Sequence, residues 1–284
     1  MILLDGKKLA QEQKPKLQKR IAALKQRGIT PGLAVVLVGQ HPASLVYVKN
    51  KEKLCAELGL NFFLAEFKQS ATKEQIKQKI GVLNKDKKIH GIIIQLPLPP
   101  KLNPLELISE VDPRRDVDGL HPMNMGLLPF GQELFVPATP QGVMALLQKY
   151  KITLTGKKVV LVGLGYTAGL PLSLILAHHK ATLTIAQDKT SDLPKLLKDA
   201  DIIISAVGHP GLIKGSMVKT GAVVIDVGIT KQGASWVGDV EFKSVAKKAK
   251  YLTPVPGGVG PLTVSSLLNN LIAAAEYGRV GAKK

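Results

Sequence analysis

The sequence predicts an α/β protein of two domains. Three observations carry this. Short apolar runs, most closing in Gly or Asp, alternate with stretches of helical periodicity. The alternation is interrupted by a Gly- and Pro-dense segment between about residues 118 and 145. It then resumes as a cleaner series. At 284 residues the chain is long enough to bury a full core.

Taken in order, residues 7–27 form a basic amphipathic helix ending near Gly28. LAVVLVG (33–39) is uniformly apolar, as a parallel strand buried on both faces must be. Residues 43–58 return to helical spacing, with Val46, Cys55 and Leu58 on the apolar side. NFFLAEF (61–67) reads as a strand, 72–84 as a helix, and GIIIQLPL (91–98) as a strand running into prolines. After the break, KKVVLVG (157–163), ATLTIAQD (181–188), DADIIISAVG (199–208) and GAVVIDVG (221–228) are strands of a doubly wound sheet, with Pro171–His179 on a helix. LTVSSLLNNLIAAAEYG (262–278) is a long helix after a Pro/Gly-rich turn, expected to cross back onto the first domain. The domains are set at 1–140, with 262–284 packed on it, and at 141–261.

Composition narrows the function classes. The formal charge is +18, from 39 basic and 21 acidic residues, but the lysines are spread over several helices and aromatics make up only 4%. No zinc, RRM or KH pattern accompanies the charge, which argues against nucleic acid. Solvated helix faces account for it, or a field that steers a polyanionic small molecule. No apolar run reaches the roughly 18–20 residues of a membrane span. The N-terminus has a four-residue apolar patch, too short for an export signal. The one cysteine, Cys55, excludes an intrachain disulfide and is read as a small core residue, and the cytoplasm is the expected compartment. The six histidines show no ligand spacing, so no metal is expected.

One stretch carries chemistry of its own. Gly163-Leu164-Gly165-Tyr166-Thr167-Ala168-Gly169 follows an apolar strand and opens a helix. Glycines there permit close backbone approach, and a helix N-terminus offers N–H groups to a pyrophosphate. The G-x-G-x-x-x-G spacing is one residue longer than the usual dinucleotide fingerprint. The next strand ends at Asp188, 25 residues after Gly163, where an acid is placed to bind the adenine ribose 2′-OH. The second domain is therefore Rossmann-like and takes NAD(P). Asp188 repels a 2′-phosphate, Leu164 and Gly165 cannot pair with one, and only Lys189 can, so NAD is favoured over NADP.

Four further segments, SLVYVKNK (44–51), QLPLP (95–99), RRDVDGLHPMN (114–124) and TPVPGGVGP (253–261), together resemble the bifunctional methylenetetrahydrofolate dehydrogenase/methenyltetrahydrofolate cyclohydrolases. The resemblance runs nearly end to end. It implies a folate-binding catalytic domain, a catalytic Lys51, Tyr47 lining the pocket, and site roles for Gln95 and Asp118. It places the glycine turn and Ile229 on cofactor positions and Pro256, Gly257 and Gly258 beside the substrate. It also implies a homodimer, and as substrates tetrahydrofolate derivatives with or without polyglutamate tails. The residue types suit that chemistry. Hydride loss from the methylene bridge needs orientation more than a base. Hydrolysis needs a proton relay, which a lysine of lowered pKa supplies. Asp118 and Gln95 can pair with an aminopyrimidine edge, and Tyr47 can stack on a flat ring.

The departures from the family pattern cluster at the nucleotide turn. Gly165 replaces a common serine, and Asp188 replaces a common Arg or Ser. On the folate side Arg115 stands where lysine is common and Ala138 where cysteine is; Arg115 keeps the charge and is read as neutral. His121 is read as structural. A cyclohydrolase with a decayed cofactor site, another dehydrogenase on the same architecture, and a basic nucleic-acid-binding protein are the alternatives.

Overall fold

A computed structural model describes residues 1–233 and 235–277. Its elements in chain order are β1 (Ile2–Leu3), α1 (Gly6–Gln26), β2 (Gly32–Val38), α2 (Pro42–Leu58), β3 (Asn61–Phe67), α3 (Lys73–Lys85), β4 (Gly91–Ile94), α4 (Pro104–Ile108), α5 (Pro122–Leu127), α6 (Ala138–Lys149), β5 (Lys158–Val162), α7 (Gly169–His178), β6 (Thr182–Ala186), α8 (Leu193–Lys198), β7 (Ile202–Ser205), β8 (Val223–Asp226), β9 (Thr230–Gln232), β10 (Ser235–Val237), α9 (Phe242–Val245), β11 (Tyr251–Leu252) and α10 (Val259–Tyr277). The chain divides into two compact units. One holds Met1–Gln13, Leu127–Gln132 and Pro137–Ser266; the other holds Lys14–Gly126, Glu133–Val136 and the C-terminal segment from Leu267.

The first unit is built on a parallel sheet of order β1-β11-β8-β7-β5-β6. Both of its faces are covered, and the strands alternate between two cores. Val159, Leu161, Ile202, Ile204 and Ile225 pack with Leu146, Leu172 and Leu176 on one side. Val160, Val162, Ile203 and Val224 pack with Leu197, Val218 and Val245 on the other. Each such fully buried side chain contributes about 1.5–3 kcal/mol. Its strands are shorter than their apolar runs, because the runs continue into the loops at their ends. The strand expected over 181–188 stops at Ala186, those over 199–208 and 221–228 at Ser205 and Asp226. The edge strand β1 was not foreseen: two residues carry no periodicity, and both are exposed.

The second unit holds the parallel three-stranded sheet β3-β2-β4. Every residue of β2 is buried, as its unbroken apolar run requires. β4 stops at Ile94, not at 98; Gln95 N–H adds one more ladder bond, to the Val36 carbonyl at 2.9 Å, before Pro97 removes the next donors. Leu267–Tyr277 of α10 belongs to this unit with the N-terminal helix–strand series, as expected of the returning helix. Arg20 clamps it, donating to both Glu276 carboxylate oxygens at 3.1 and 2.6 Å and to Asn269 Oδ1 at 2.5 Å.

Two details correct the sequence reading. Val46 is exposed; the covered side of α2 runs through Ser44, Val48, Lys51, Cys55 and Leu58, which puts Lys51 itself on it. Arg115 is more than a retained charge. Its guanidinium donates to the Asp86 carbonyl at 2.7 Å and to the Leu83 and Ile89 carbonyls, closing the C-terminal end of α3.

Candidate active site

Four of the expected residues come together in the second unit. α2 has Pro42 in its first turn and ends at Gly59, in the left-handed conformation (φ 62°), with the Leu60 N–H returning to the Cys55 carbonyl at 2.8 Å. Tyr47 and Lys51 are four residues apart, so they share a face of this helix. The Lys51 ammonium lies 5.9 Å from the centre of the Tyr47 ring, and 42% of Tyr47 stays exposed, leaving ring surface open for stacking.

Gln95 follows β4 and is buried. Its amide is oriented at both ends: Oε1 accepts from Lys51 Nζ at 2.8 Å, and Nε2 donates to the Leu96 carbonyl at 2.8 Å. A charge-assisted bond of this kind is worth about 1.5–3 kcal/mol. Asp118 arrives from the loop beside β4. There Asp116 pairs with Ile92 as an isolated parallel bridge, and the buried Asp116 carboxylate accepts from His121 N–H at 2.7 Å and Asn124 Nδ2 at 2.9 Å. Asp116 and Asn124 thus fix the loop that presents Asp118. The sequence reading missed both. No local sequence pattern marks either of them.

The electrostatics pull both charges toward neutrality. Burial lowers the Lys51 pKa, and the Asp118 charge counters it. Burial raises Asp118 to about 6, with Lys51 opposing and Asp116 reinforcing the rise. Lys51 thus has a lowered pKa and is held by Gln95 next to a carboxyl raised to about 6. Cys55, one turn on, is a core residue: burial, then the Glu52 charge, pushes its thiol up to about 11. His121 Nδ1 accepts from Met123 N–H at 3.0 Å, so Nε2 carries the hydrogen and donates to the Ser109 carbonyl at 3.3 Å. That occupies both ring nitrogens in loop structure. No cluster of three or more His, Cys, Asp or Glu side chains among the described residues is arranged to hold a metal ion.

The nucleotide turn lies in the first unit, at the carboxyl edge of the sheet. Its three glycines differ in what holds them. Gly163 has φ 94°, and a Cβ there would lie 2.6 Å from the Ala206 carbonyl oxygen. A Cβ on Gly169 would lie 2.2 Å from the Gly163 oxygen, so close packing of α7 on the turn requires this glycine. A Cβ on Gly165 would meet nothing within 4 Å. Gly165 is exposed and borders open space just before α7, where a phosphate could be approached by backbone. Asp188 stands two residues beyond β6 in an exposed turn, with Lys189 Nζ 3.8 Å from its carboxylate. Ile229 follows β8 and is 44% exposed. Pro256–Gly258 also belong to this unit, against the start of α1: the Gly257 carbonyl accepts from Lys7 N–H at 2.9 Å, and a Cβ on Gly6 would collide with the Gly258 oxygen.

A parallel sheet with a glycine turn at its carboxyl edge, and a separate unit holding a lysine of lowered pKa, define a two-unit α/β protein of the dinucleotide-binding class. The comparisons with known proteins agree. The catalytic domain of tetrahydrofolate dehydrogenase/cyclohydrolase matches residues 4–118, and the NAD(P)-binding domain of the same family matches 137–279. The bifunctional protein FolD of Nautilia profundicola is 47% identical over 277 residues, covering 97% of this chain and 98% of its own. The crystal structure of the bifunctional methylenetetrahydrofolate dehydrogenase/cyclohydrolase FolD from Campylobacter jejuni is 42% identical, with TM-score 0.95, covering 98% of this chain and 99% of that one. The Trypanosoma brucei enzyme, complexed with NADP cofactor and inhibitor, is 36% identical with TM-score 0.93, covering 98% of each chain. The chain belongs to the tetrahydrofolate dehydrogenase/cyclohydrolase family.

Proposed function

We propose that the chain oxidises 5,10-methylenetetrahydrofolate to the 5,10-methenyl compound with a nicotinamide dinucleotide, then hydrolyses that product to 10-formyltetrahydrofolate. The observation that carries this reading is the half-buried Lys51 amine, held by Gln95 at 2.8 Å beside Asp118 and Tyr47.

The residues divide the work. Asp118 accepts from the N–H edge of the pterin. Gln95 keeps one amide hydrogen and one lone pair beyond its bonds to Leu96 and Lys51. Tyr47 stacks on the ring. In hydrolysis, water adds to the methenyl carbon and gives up a proton, and the ring nitrogen that leaves takes one. Neutral Lys51 takes the first and its ammonium returns one to the nitrogen; the step releases one proton overall. The substrate's own positive charge further disfavours the lysine ammonium. Bound dinucleotide supplies the hydride acceptor. The Gly163–Gly165 backbone and the start of α7 would hold its pyrophosphate, Asp188 its adenine ribose and Ile229 its far end. Pro256, Gly257 and Gly258 are assigned to the substrate.

NAD is favoured over NADP. The Asp188 carboxylate repels a 2′-phosphate, and neither Leu164 nor Gly165 offers a cation. The functional division at about residue 140, a homodimer, polyglutamylated folate as the in-cell substrate and a cytoplasmic location complete the reading. Among the described residues no helix is long and apolar enough to cross a membrane.

The test is hydrolysis of methenyltetrahydrofolate with no nucleotide present. Turnover well above the spontaneous rate is expected. Turnover equal to it refutes the role given to Lys51.

A further inference from the structure

Two buried carboxylates at the carboxyl edge of the first unit's sheet have no part in the chemistry above. Asp226 ends β8 and is 3% exposed; Asp239 follows β10 and is 1% exposed. Neither joins an ion pair among the described residues. Backbone N–H groups and the Ser205 hydroxyl meet them instead, in two tiers, and burial still raises the Asp226 carboxyl to about 7. Asp226 accepts from Gly228 and Asp239 N–H, each at 3.0 Å, and from Val240 N–H at 2.9 Å. Asp239 then reaches the loop after β7, accepting from Ser205 Oγ at 2.8 Å, Val207 N–H at 2.9 Å and His209 N–H at 2.8 Å. The chain facing each carboxylate has to be glycine: a Cβ on Gly228 or Gly238 would overlap the Asp239 or Asp226 side chain.

What this clamp holds is an apolar pair at the sheet edge. Val207 is 40% exposed, and its Cγ1 would lie 2.7 Å from a Cβ on Gly163, so its loop and the glycine turn are in contact. Ile229, 44% exposed, follows Gly228, and Thr230 Oγ1 ties its loop to the Gly208 carbonyl at 3.0 Å. Strand order supplies the direction. β6, with Asp188 beyond it, flanks β5 on one side; β7 and β8 lie on the other. A dinucleotide with its adenine ribose at Asp188 and its pyrophosphate at the glycine turn extends over β7 and β8. We propose that Asp239, held in place by Asp226, is a positioning residue that fixes Val207 and Ile229 as the apolar support for the nicotinamide end of the cofactor. This rests on the nucleotide reading given under Proposed function.

The test uses full-length Asp239→Asn and the milder Ser205→Ala, each assayed for nucleotide-dependent oxidation, nucleotide-independent hydrolysis and NADH binding by fluorescence. In Asp239→Asn the new amide NH2 faces N–H donors. The KM for the dinucleotide is expected to rise about 10-fold or more, as for loss of one charge-assisted bond, with hydrolysis unchanged within about twofold. Ser205→Ala removes one of the three donors to Asp239 and leaves the two backbone N–H bonds, so a smaller rise of about threefold is expected. An unchanged KM in a folded variant overturns the proposal. So does a proportional loss of oxidation and hydrolysis in both variants, which would mark a structural role only. If Asp239→Asn does not fold, Ser205→Ala decides alone. A wild-type chain that neither binds nor uses either nucleotide overturns the nucleotide reading, and this proposal with it.

Discussion

Replacing Lys51 by methionine separates the two chemistries. Methionine keeps the apolar stem and its packing on the covered side of α2 but removes the amine. The structure sets the size of the effect. One Gln95 acceptor loses its 2.8 Å partner, which costs about 1–3 kcal/mol, while removal of a desolvated ammonium offsets much of that. The urea midpoint should therefore barely move. Catalysis should not be spared. A positioned proton relay contributes about 10²–10⁴-fold, or roughly 3–5 kcal/mol of barrier at 1.36 kcal/mol per decade. The assay is loss of methenyltetrahydrofolate absorbance without nucleotide, beside the oxidation rate of the methylene compound. Hydrolysis is expected to fall by about two to four decades, and oxidation by less than about one. Lys51→Arg sharpens the comparison, because arginine keeps the charge and can reach Gln95 but does not deprotonate. Hydrolysis retained within about threefold in Lys51→Met, or restored by Lys51→Arg, would refute a relay through this amine.

Other expectations follow from the same geometry. Asp118→Asn removes the carboxyl raised to about 6, so the acid limb of the hydrolysis pH profile near that value should vanish; a limb that persists assigns it elsewhere. Because the folded pKa of Asp118 is raised, its stabilising contribution is complete below the unfolded value and is lost as pH rises through about 6. Urea midpoints of the wild type should carry that fall and those of the variant should lack it. Gly163→Ala places a side chain at φ 94° against the Ala206 carbonyl and should lower stability by about 1–2 kcal/mol or more. Gly165→Ala meets no protein atom and should leave the melting temperature unchanged while raising the dinucleotide KM; equal stability losses would contradict the steric reading. Asp188→Ser should narrow the NAD/NADP preference measured by kcat/KM, and an unchanged ratio would remove Asp188 from the specificity account.

The sequence made the main elements legible because burial on both faces leaves an unbroken apolar run, as in Leu33–Val38 and Val159–Val162. Strand ends were less legible. Ala206, Val207 and Val227 are as apolar as the strands they follow, so composition could not separate ladder from loop. The two-residue β1 and the hairpin of Thr230–Gln232 with Ser235–Val237 carry too few residues to show a period. At the site, Lys51, Gln95 and Asp118 were found as motifs, but not the way they are held. The helical spacing alone does not mark Lys51 as covered; it shares the covered side of α2 with Val48 and Cys55. The supports escaped notice for a common reason: Asp116, Asn124, Asp226 and Asp239 bond to backbone or to residues distant in the chain, and no local pattern marks such partners. Arg115 was misjudged likewise, since its value lies in the carbonyls it reaches and not in its charge.

One chain carries both reactions, and a single assay follows both at once. Purified chain is given 5,10-methylenetetrahydrofolate with NAD or NADP in parallel, and methenyl and 10-formyl products are followed with reduced nucleotide. The expected result is stoichiometric reduced nucleotide and 10-formyltetrahydrofolate, faster with NAD than with NADP. No turnover with either nucleotide would contradict it, and turnover that stops at the methenyl compound would contradict the role of Lys51.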